Sequence, residues 1–454
     1  RSLAFLAALH DLGKASPEFQ RLSPELAASL EALGFDFPSR LYPNSPGYHG
    51  VITAHVLPPI LESTLGVERE QARALATAVG GHHGSWSLPE ERLALRSWHL
   101  GTEVWEQARL QIATELSRLY RPVHVPRQTH DPAERNAALA VLSGLTSVAD
   151  WIASDERNFP HTIPSAGLDD YQAQARSQAA EAIAGLRWAD WASAGERQTF
   201  HQLIGLEPRP LQVAAEELAA SLSGPSLVII EASTGTGKTE AAYYLADAQI
   251  VRSGLRGLYV AMPTMATSNQ MHQRMTLLLE RRYPGVGSQA LLVHSRARFD
   301  IDRAVADPAI VDEAADAGAA SVDARTWFLP RKRSLLAPLA VGTVDQTFLS
   351  VLQTRHFFVR LFGLSRKVVI FDEVHAYDTY MSAIFERLLS WLRAMSTSVV
   401  ILSATLPAVT RRRLVRAYAG HEVDPAPAKY PSITWWSKSK CGVTPLEEAS
   451  HRRL

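Results

Sequence analysis

The stretch LVIIEASTGTGKTEAAYYLADAQI, Leu227–Ile250, decides the reading of this chain. Four apolar residues with strand propensity run into a glycine turn, and Lys238-Thr239 then opens a run rich in helix formers. Strand, glycine turn and helix form the context that a phosphate-binding loop requires. Gly235 and Gly237, flanking Thr236, let the backbone turn tightly and aim N–H groups at phosphates. The helix start adds positive potential. Lys238 is expected to reach the β and γ phosphates of ATP, and Thr239 to place its hydroxyl on Mg²⁺.

Outward from this loop, short β-rich runs alternate with helices. The runs are Leu227–Ala232, Leu258–Pro263, Leu339–Val344, Val368–Asp372 and Val399–Ser403. Such alternation predicts a mostly parallel sheet covered by helices on both faces. Asp372-Glu373-Val374-His375 ends one run, and a strand tip is where ligands of such sheets bind. Asp372 is expected to hold the Mg²⁺ shell, and Glu373 to orient and deprotonate the attacking water. Ser403-Ala404-Thr405 directly follows another run. Gln212, Pro263-Thr264 and Gly342-Thr343-Val344-Asp345 are weak signals singly. Their order around the phosphate loop resembles a superfamily 2 helicase. That resemblance implies that Gln212 reads adenine and that Thr264 and Thr343, with Asp345, meet the nucleic-acid backbone. It also implies that Ser403 and Thr405, with His375, couple ATP state to strand contact.

The first 200 residues have a different style. Gln71–Val79, Val104–Leu119 and Ala133–Ser154 carry helical spacing, Tyr171–Leu186 is rich in Ala, Gln and Glu and reads as a helix leaving this domain, and no long alternating strand pattern appears. Within them lie His10-Asp11, followed by Lys14, then His49, His82-His83 and Asp150. Nitrogen and carboxylate donors on separate helices can converge on one metal inside a helical bundle. An acidic group on the apolar side of a helix, as Asp150 is, needs a partner, and a metal is one candidate. The ordered set resembles the HD metal-dependent phosphohydrolases. The resemblance implies His10, Asp11, His49, His82, His83 and Asp150 as metal ligands, with Asp11 and Lys14 serving catalysis. His55 is expected to pack, and His99, His124 and His130 to be structural or exposed. Residues 300–324, rich in Ala and Asp, read as a surface insertion.

Composition narrows the classes. The chain has 454 residues, with Lys+Arg and Asp+Glu both 46, so its formal net charge is zero and no polybasic tail is present. DNA contact must come from local patches or backbone-reading loops. A single cysteine, Cys441, excludes an internal disulfide and a cysteine-pair zinc site. A cytoplasmic protein without a membrane span is expected.

An HD domain followed by this motor is a narrow combination. It is similar to the type I CRISPR-associated helicase-nucleases. The resemblance implies single-stranded DNA cleavage at the HD site, fed by ATP-driven 3′-to-5′ translocation. It implies ATP with Mg²⁺ at the motor and two transition-metal ions, Fe²⁺, Mn²⁺, Co²⁺ or Ni²⁺, at the HD site. Its partners would be single-stranded DNA and the Cascade surveillance complex with its guide RNA and target DNA. The expected fold is multidomain: an all-α HD domain over 1–200, then an α/β RecA-like domain over 201–425. Residues 426–454 are expected to begin the connection to a second RecA-like domain that is missing. The family's further histidine before the His-Asp motif is also missing, so a fragment is expected. Two rival readings are an HD nucleotide phosphohydrolase gated by an ATP-binding switch and a catalytically silent Cascade- or DNA-binding module.

Overall fold

The computed structural model describes residues 1–37, 49–123, 131–160, 167–186, 188, 195–283, 292–294 and 333–446. His124, His130 and the segment 300–324 lie outside the described residues. The chain forms two compact units, Arg1–Ala182 and Ile183–Leu454. The boundary expected near residue 200 therefore falls earlier. Phe200, Leu203 and Ile204 supply buried side chains to the second unit's core, which draws that segment away from the first.

The first unit is helical among its described residues. Its main helices are α1 (Ser2–Ala8), α2 (His49–Leu65), α3 (Arg69–Gly80), α4 (Glu103–Tyr120), α5 (Pro132–Ala153) and α6 (Leu168–Gly185). A core of Phe5, Leu6, Leu9, Leu57, Leu61, Leu75, Val79 and Leu142 joins α1, α2, α3 and α5. Each such side chain contributes on the order of 1.5–3 kcal/mol by leaving water. Two glycines set how closely α2 and α3 approach. A Cβ on Gly50 would overlap the Gly80 carbonyl oxygen, and a Cβ on Gly80 would overlap the Gly50 carbonyl oxygen. That contact brings His49, at the start of α2, beside His82, just past the end of α3. α5 is long and apolar enough to cross a membrane by length and composition alone. It packs in this core instead, and its Ser143 hydroxyl donates to the Ala78 carbonyl of α3 at 2.8 Å.

Among its described residues the second unit holds an eight-stranded sheet. Its strands are β1 (Ser226–Glu231), β2 (Leu258–Met262), β3 (Leu292–His294), β4 (Leu339–Thr343), β5 (Val368–Phe371), β6 (Ser398–Ser403), β7 (Ser432–Ser437) and β8 (Lys440–Pro445). The order is β3-β4-β2-β5-β6-β1-β7-β8. The first six run parallel, as continuous apolar runs require when both faces are covered. The segment from residue 426, expected to begin a connection, first adds two strands to this sheet. β7 pairs antiparallel along the whole of β1, and β8 along β7. Without them β1 would be an open edge. β7 closes it and buries Ile433 and Trp436.

Candidate metal centre and nucleotide cleft

The metal centre is built on one carboxylate. His10 and Asp11 lie in the turn after α1, and Leu12–Lys14 forms a single 3₁₀ turn. Asp11 Oδ1 sits 3.2 Å from His49 Nε2 and 3.6 Å from His82 Nε2. Its Oδ2 sits 3.2 Å from His10 Nε2 and 2.6 Å from Lys14 Nζ. The two oxygens thus face two groups of ligands. His49, His82 and His83 form one group, and His10, His82 and Asp150 the other, with donor atoms in each within 4.8 Å of one another. All six residues expected from the sequence meet here.

Two backbone contacts set the histidine tautomers. His10 Nδ1 lies 2.8 Å from the Ala7 carbonyl, and His82 Nδ1 lies 3.1 Å from the Val79 carbonyl. A carbonyl only accepts, so each Nδ1 carries a proton and points the other nitrogen at the cluster, as metal-ligating histidines do. His10 Nε2 and Asp11 Oδ1 are buried with no hydrogen bond to satisfy them. Such atoms are costly unless a ligand completes them, so this donor set fits transition-metal ions.

Neighbouring side chains hold the cluster in place. Thr53 of α2 accepts from the Gly13 amide at 2.9 Å and donates to the His10 carbonyl at 2.9 Å. A Cβ on Gly13 would overlap the His49 carbonyl, so only glycine lets the His-Asp turn sit this close to α2. Ser147 of α5 donates to the His82 carbonyl at 2.6 Å, one turn before Asp150. Arg109 donates to the Ala15 and Leu100 carbonyls, both at 2.8 Å. The sequence reading missed Thr53, Ser147 and Arg109, because a residue that bonds backbone carries no motif. His55 is exposed rather than packed, whereas His99 is buried and caps the Arg96 amide.

The nucleotide cleft has a volume of about 510 Å³ and lies over the strand tips. It is lined by Gln212, Gly235, Gly237, Lys238, Thr239, Asp372, Glu373, His375 and Ser403, all expected from the sequence. Gly235 and Gly237 have φ of +81° and +87°, which side chains other than glycine rarely adopt. Between them, Thr236 donates to the Ser233 carbonyl at 2.7 Å. The helix Lys238–Ser253 starts at the loop's lysine. Gln212 Nε2 donates to the Gly237 carbonyl at 3.2 Å, and Arg209 to the Gly235 carbonyl at 2.8 Å. Lys238 Nζ donates to the Ala232 and Ser233 carbonyls at 2.5 and 3.1 Å. Burial lowers the pKa of Lys238, while Asp372 and Glu373 act the other way. Burial raises that of Asp372. Arg209, Glu240 and Arg274 also line the cleft and were not anticipated.

The coupling residues are placed unevenly. Thr264 is exposed and caps the helix Met265–Arg282, accepting from the Thr267 amide at 3.3 Å. Thr343 is only 3% exposed, and its hydroxyl is buried without a partner. Its side chain is therefore turned into the interior at the tip of β4, so this loop offers its backbone rather than the Thr343 hydroxyl. Burial pushes the Asp345 carboxyl up to about 6. His375 Nδ1 accepts from the Ala404 amide at 3.4 Å, joining the two motif loops. The Ser403 hydroxyl donates to the Thr405 carbonyl at 3.0 Å, which shapes that loop.

Residues 1–159 match the family model for the Cas3 HD domain, and residues 210–413 match that for DEAD/DEAH box helicases. A "CRISPR-associated endonuclease/helicase Cas3" of Thermus thermophilus is 40% identical over 432 residues, covering 93% of this chain and 45% of that protein. The chain belongs to the Cas3 family. It spans about half the length of the curated relatives it matches. A crystal structure of T. fusca Cas3 with ADP superposes with a TM-score of 0.78 at 30% identity, covering 97% of this chain and 49% of that one. A chain in a CRISPR RNA-guided surveillance complex, pre-nicking, superposes with a TM-score of 0.67 at 30% identity, covering 97% and 46%. The Cas3 HD match spans every histidine and aspartate of the metal cluster. The helicase match runs from the start of the Gln212 helix past Ser403–Thr405.

The charge state of this Cas3 HD cluster leads to a testable pH dependence. Burial works against a charge on His10, but the carboxylates of Asp11 and Asp150 beside it outweigh burial and raise its pKa to about 9. Burial works against the Asp11 charge as well, but His10, His49 and Lys14 around it hold the carboxyl far below the usual carboxylate range. Burial, with His10 and His83 adding to it, pulls His82 down to about 3. A raised folded pKa stabilises the metal-free unit below 6.5, and that contribution is lost as pH rises through about 9. A metal entering the site must expel the His10 proton. Apparent Mn²⁺ affinity is therefore expected to rise by up to about tenfold per pH unit from 6.5 to 9 and then level off. Calorimetric titration of the metal-free protein measures this. A flat affinity across that window would show that His10 is not a protonated ligand.

Proposed function

We propose that this chain carries the nuclease and ATP-binding parts of a type I CRISPR helicase-nuclease that destroys single-stranded DNA. In this reading ATP with Mg²⁺ drives 3′-to-5′ movement along the strand, and recruitment comes from Cascade with its guide RNA bound to target DNA. The observation that carries the reading is the division of the Asp11 oxygens between two histidine groups. A bridging carboxylate between two ligand sets is the arrangement that suits phosphodiester hydrolysis.

His49, His82 and His83 would hold one ion, and His10, His82 and Asp150 the other, with Asp11 between them. Bound Fe²⁺, Mn²⁺, Co²⁺ or Ni²⁺ would activate water and stabilise the leaving oxygen. Lys14, fixed against Asp11 and lying over the Phe19 ring at 5.3 Å, offers a cation to the non-bridging phosphate oxygens. At the motor, Lys238 would neutralise the β and γ phosphates, and Thr239 would help hold Mg²⁺. Asp372 would help hold that ion, and Glu373 would take the proton from the attacking water.

DNA would be gripped along its backbone at Thr264 and the Gly342–Asp345 loop, with little base reading. Affinity is then expected to be insensitive to sequence and to weaken as salt rises through counterion release. Single strands should bind at least about tenfold more tightly than duplex, because stacking and backbone contacts need an open strand. Fluorescence anisotropy of the full-length protein across a salt series tests this. Equal affinity for duplex, or a salt-independent constant, sinks the threading model. Turnover of free nucleotides without DNA cleavage would favour an HD nucleotide phosphohydrolase instead.

A further inference from the structure

Glu231 is the last residue of β1, directly before the phosphate loop, and is 2% exposed. No part of the nucleotide mechanism uses it. Its carboxylate accepts from Arg411 Nε at 2.6 Å and Nη2 at 3.5 Å, and from the Leu406 amide at 3.1 Å. Arg411 is also buried, on the helix Ala408–Ala419. Leu406 immediately follows Ser403-Ala404-Thr405. One buried carboxylate thus ties the strand entering the phosphate loop to the segment leaving the Ser-Ala-Thr loop.

The contacts around it form a continuous path. Lys238 donates to the carbonyl of Ala232, the residue after Glu231. The Ala232 amide donates to the Ser403 carbonyl at 3.3 Å, where β1 and β6 part. The Ala404 amide reaches His375, beside Asp372 and Glu373. An apolar pair could hold two adjacent strand tips at least as well, since burying two charges carries a large desolvation cost. An ion pair adds direction. It accepts the Leu406 amide, which would otherwise lose its partner, and fixes the angle at which the loop turns back over the cleft.

We propose that Glu231 and Arg411 are positioning residues that transmit the nucleotide state at the phosphate loop to the Ser403–Thr405 loop. A shift of Lys238 on phosphate binding or release pulls on Ala232 and therefore on its neighbour Glu231. The rigid pair passes that shift to Leu406 and the Ser-Ala-Thr loop. The inference rests on the motor reading above.

The test uses full-length protein, comparing wild type with Glu231→Gln. Glutamine keeps the shape and can still accept from Leu406, but it loses the charge that holds Arg411. Three quantities are measured: KM for ATP, kcat with and without single-stranded DNA, and base pairs unwound per ATP. The expected result is a KM within about twofold of wild type, and DNA-stimulated kcat and unwinding per ATP each lowered about tenfold, the scale of coupling within one polar network. A merely structural role would lower all activities in proportion to lost folded protein and leave unwinding per ATP unchanged. That result overturns the proposal, as does full stimulation in the variant. Should Glu231→Gln fail to fold, Arg411→Lys is read instead. It keeps the charge without the forked donors, and the same split between KM and coupling is expected, at smaller size. If wild type itself shows no DNA-stimulated ATP hydrolysis, the motor reading falls and this inference falls with it.

Discussion

Asp11→Ala is expected to empty the HD site of metal and to lower single-stranded DNA cleavage on the order of a thousandfold, the scale of losing one preorganised charged group. The size follows from its position. Asp11 faces both ligand groups, with His49 at 3.2 Å on one oxygen and His10 at 3.2 Å on the other. No other carboxylate among the described residues is placed to do this, because Asp150 reaches only the His10 group. The fold should survive. Lys14, the cation left behind, has a side chain 38% exposed and turns to water at little cost. The backbone turn stays held by Thr53, which bonds His10 and Gly13 without using the Asp11 side chain. His10 keeps Asp150 at 3.5 Å, so some of its raised basicity remains. Metal content by elemental analysis, cleavage by gel assay and helicity by circular dichroism together read the result. Retained metal and cleavage in a folded variant would remove Asp11 from the centre of the site.

What the sequence revealed and what it hid follow one physical rule. Residues that act through side chains of special chemistry stand out, because few residue types do that work. His10, Asp11, His82-His83 and the glycines flanking Thr236 were legible for this reason, as were the apolar runs of the five expected strands. Backbone-bonding residues were not. Thr53, Ser147 and Arg109 do their work on carbonyls and amides far away in sequence, and any polar residue with reach could have done so. β7 was read as the start of a departing chain because Ser432–Ser437 is short and its partner is 201 positions away at Ser432↔Glu231 and further at the other pairs. β8 carries few apolar residues, as an edge strand can. Thr343 shows a limit of another kind. A family motif locates the loop at the tip of β4, but whether its hydroxyl faces outward or into the core depends on packing that the motif does not encode.

Lys238→Ala should separate the two activities. ATP affinity is expected to fall roughly tenfold to a hundredfold, as the loss of charge-assisted hydrogen bonds to a phosphate implies. Metal-dependent nicking of free single-stranded DNA should stay within about twofold of wild type, since the metal ligands and the cleft are built in different units. Every ligand of the cluster, from His10 to Asp150, belongs to the unit Arg1–Ala182, whereas Lys238 belongs to Ile183–Leu454. The loop should keep its form in the variant. Arg209 still holds the Gly235 carbonyl and Gln212 the Gly237 carbonyl, and both glycines retain their left-handed conformation. What alanine removes is the ammonium that bonds Ala232 and Ser233 and that faces Asp372 and Glu373 across the cleft. Without it, those carboxylates repel the incoming phosphates unopposed except by Mg²⁺, so affinity should also become more dependent on Mg²⁺ concentration. Equilibrium binding of a fluorescent ATP analogue, at two Mg²⁺ concentrations and beside a cleavage assay lacking nucleotide, measures both halves of the expectation. Unchanged ATP affinity would remove Lys238 from the phosphate site, and a parallel loss of nicking would show that the nuclease depends on the nucleotide cleft even with free DNA.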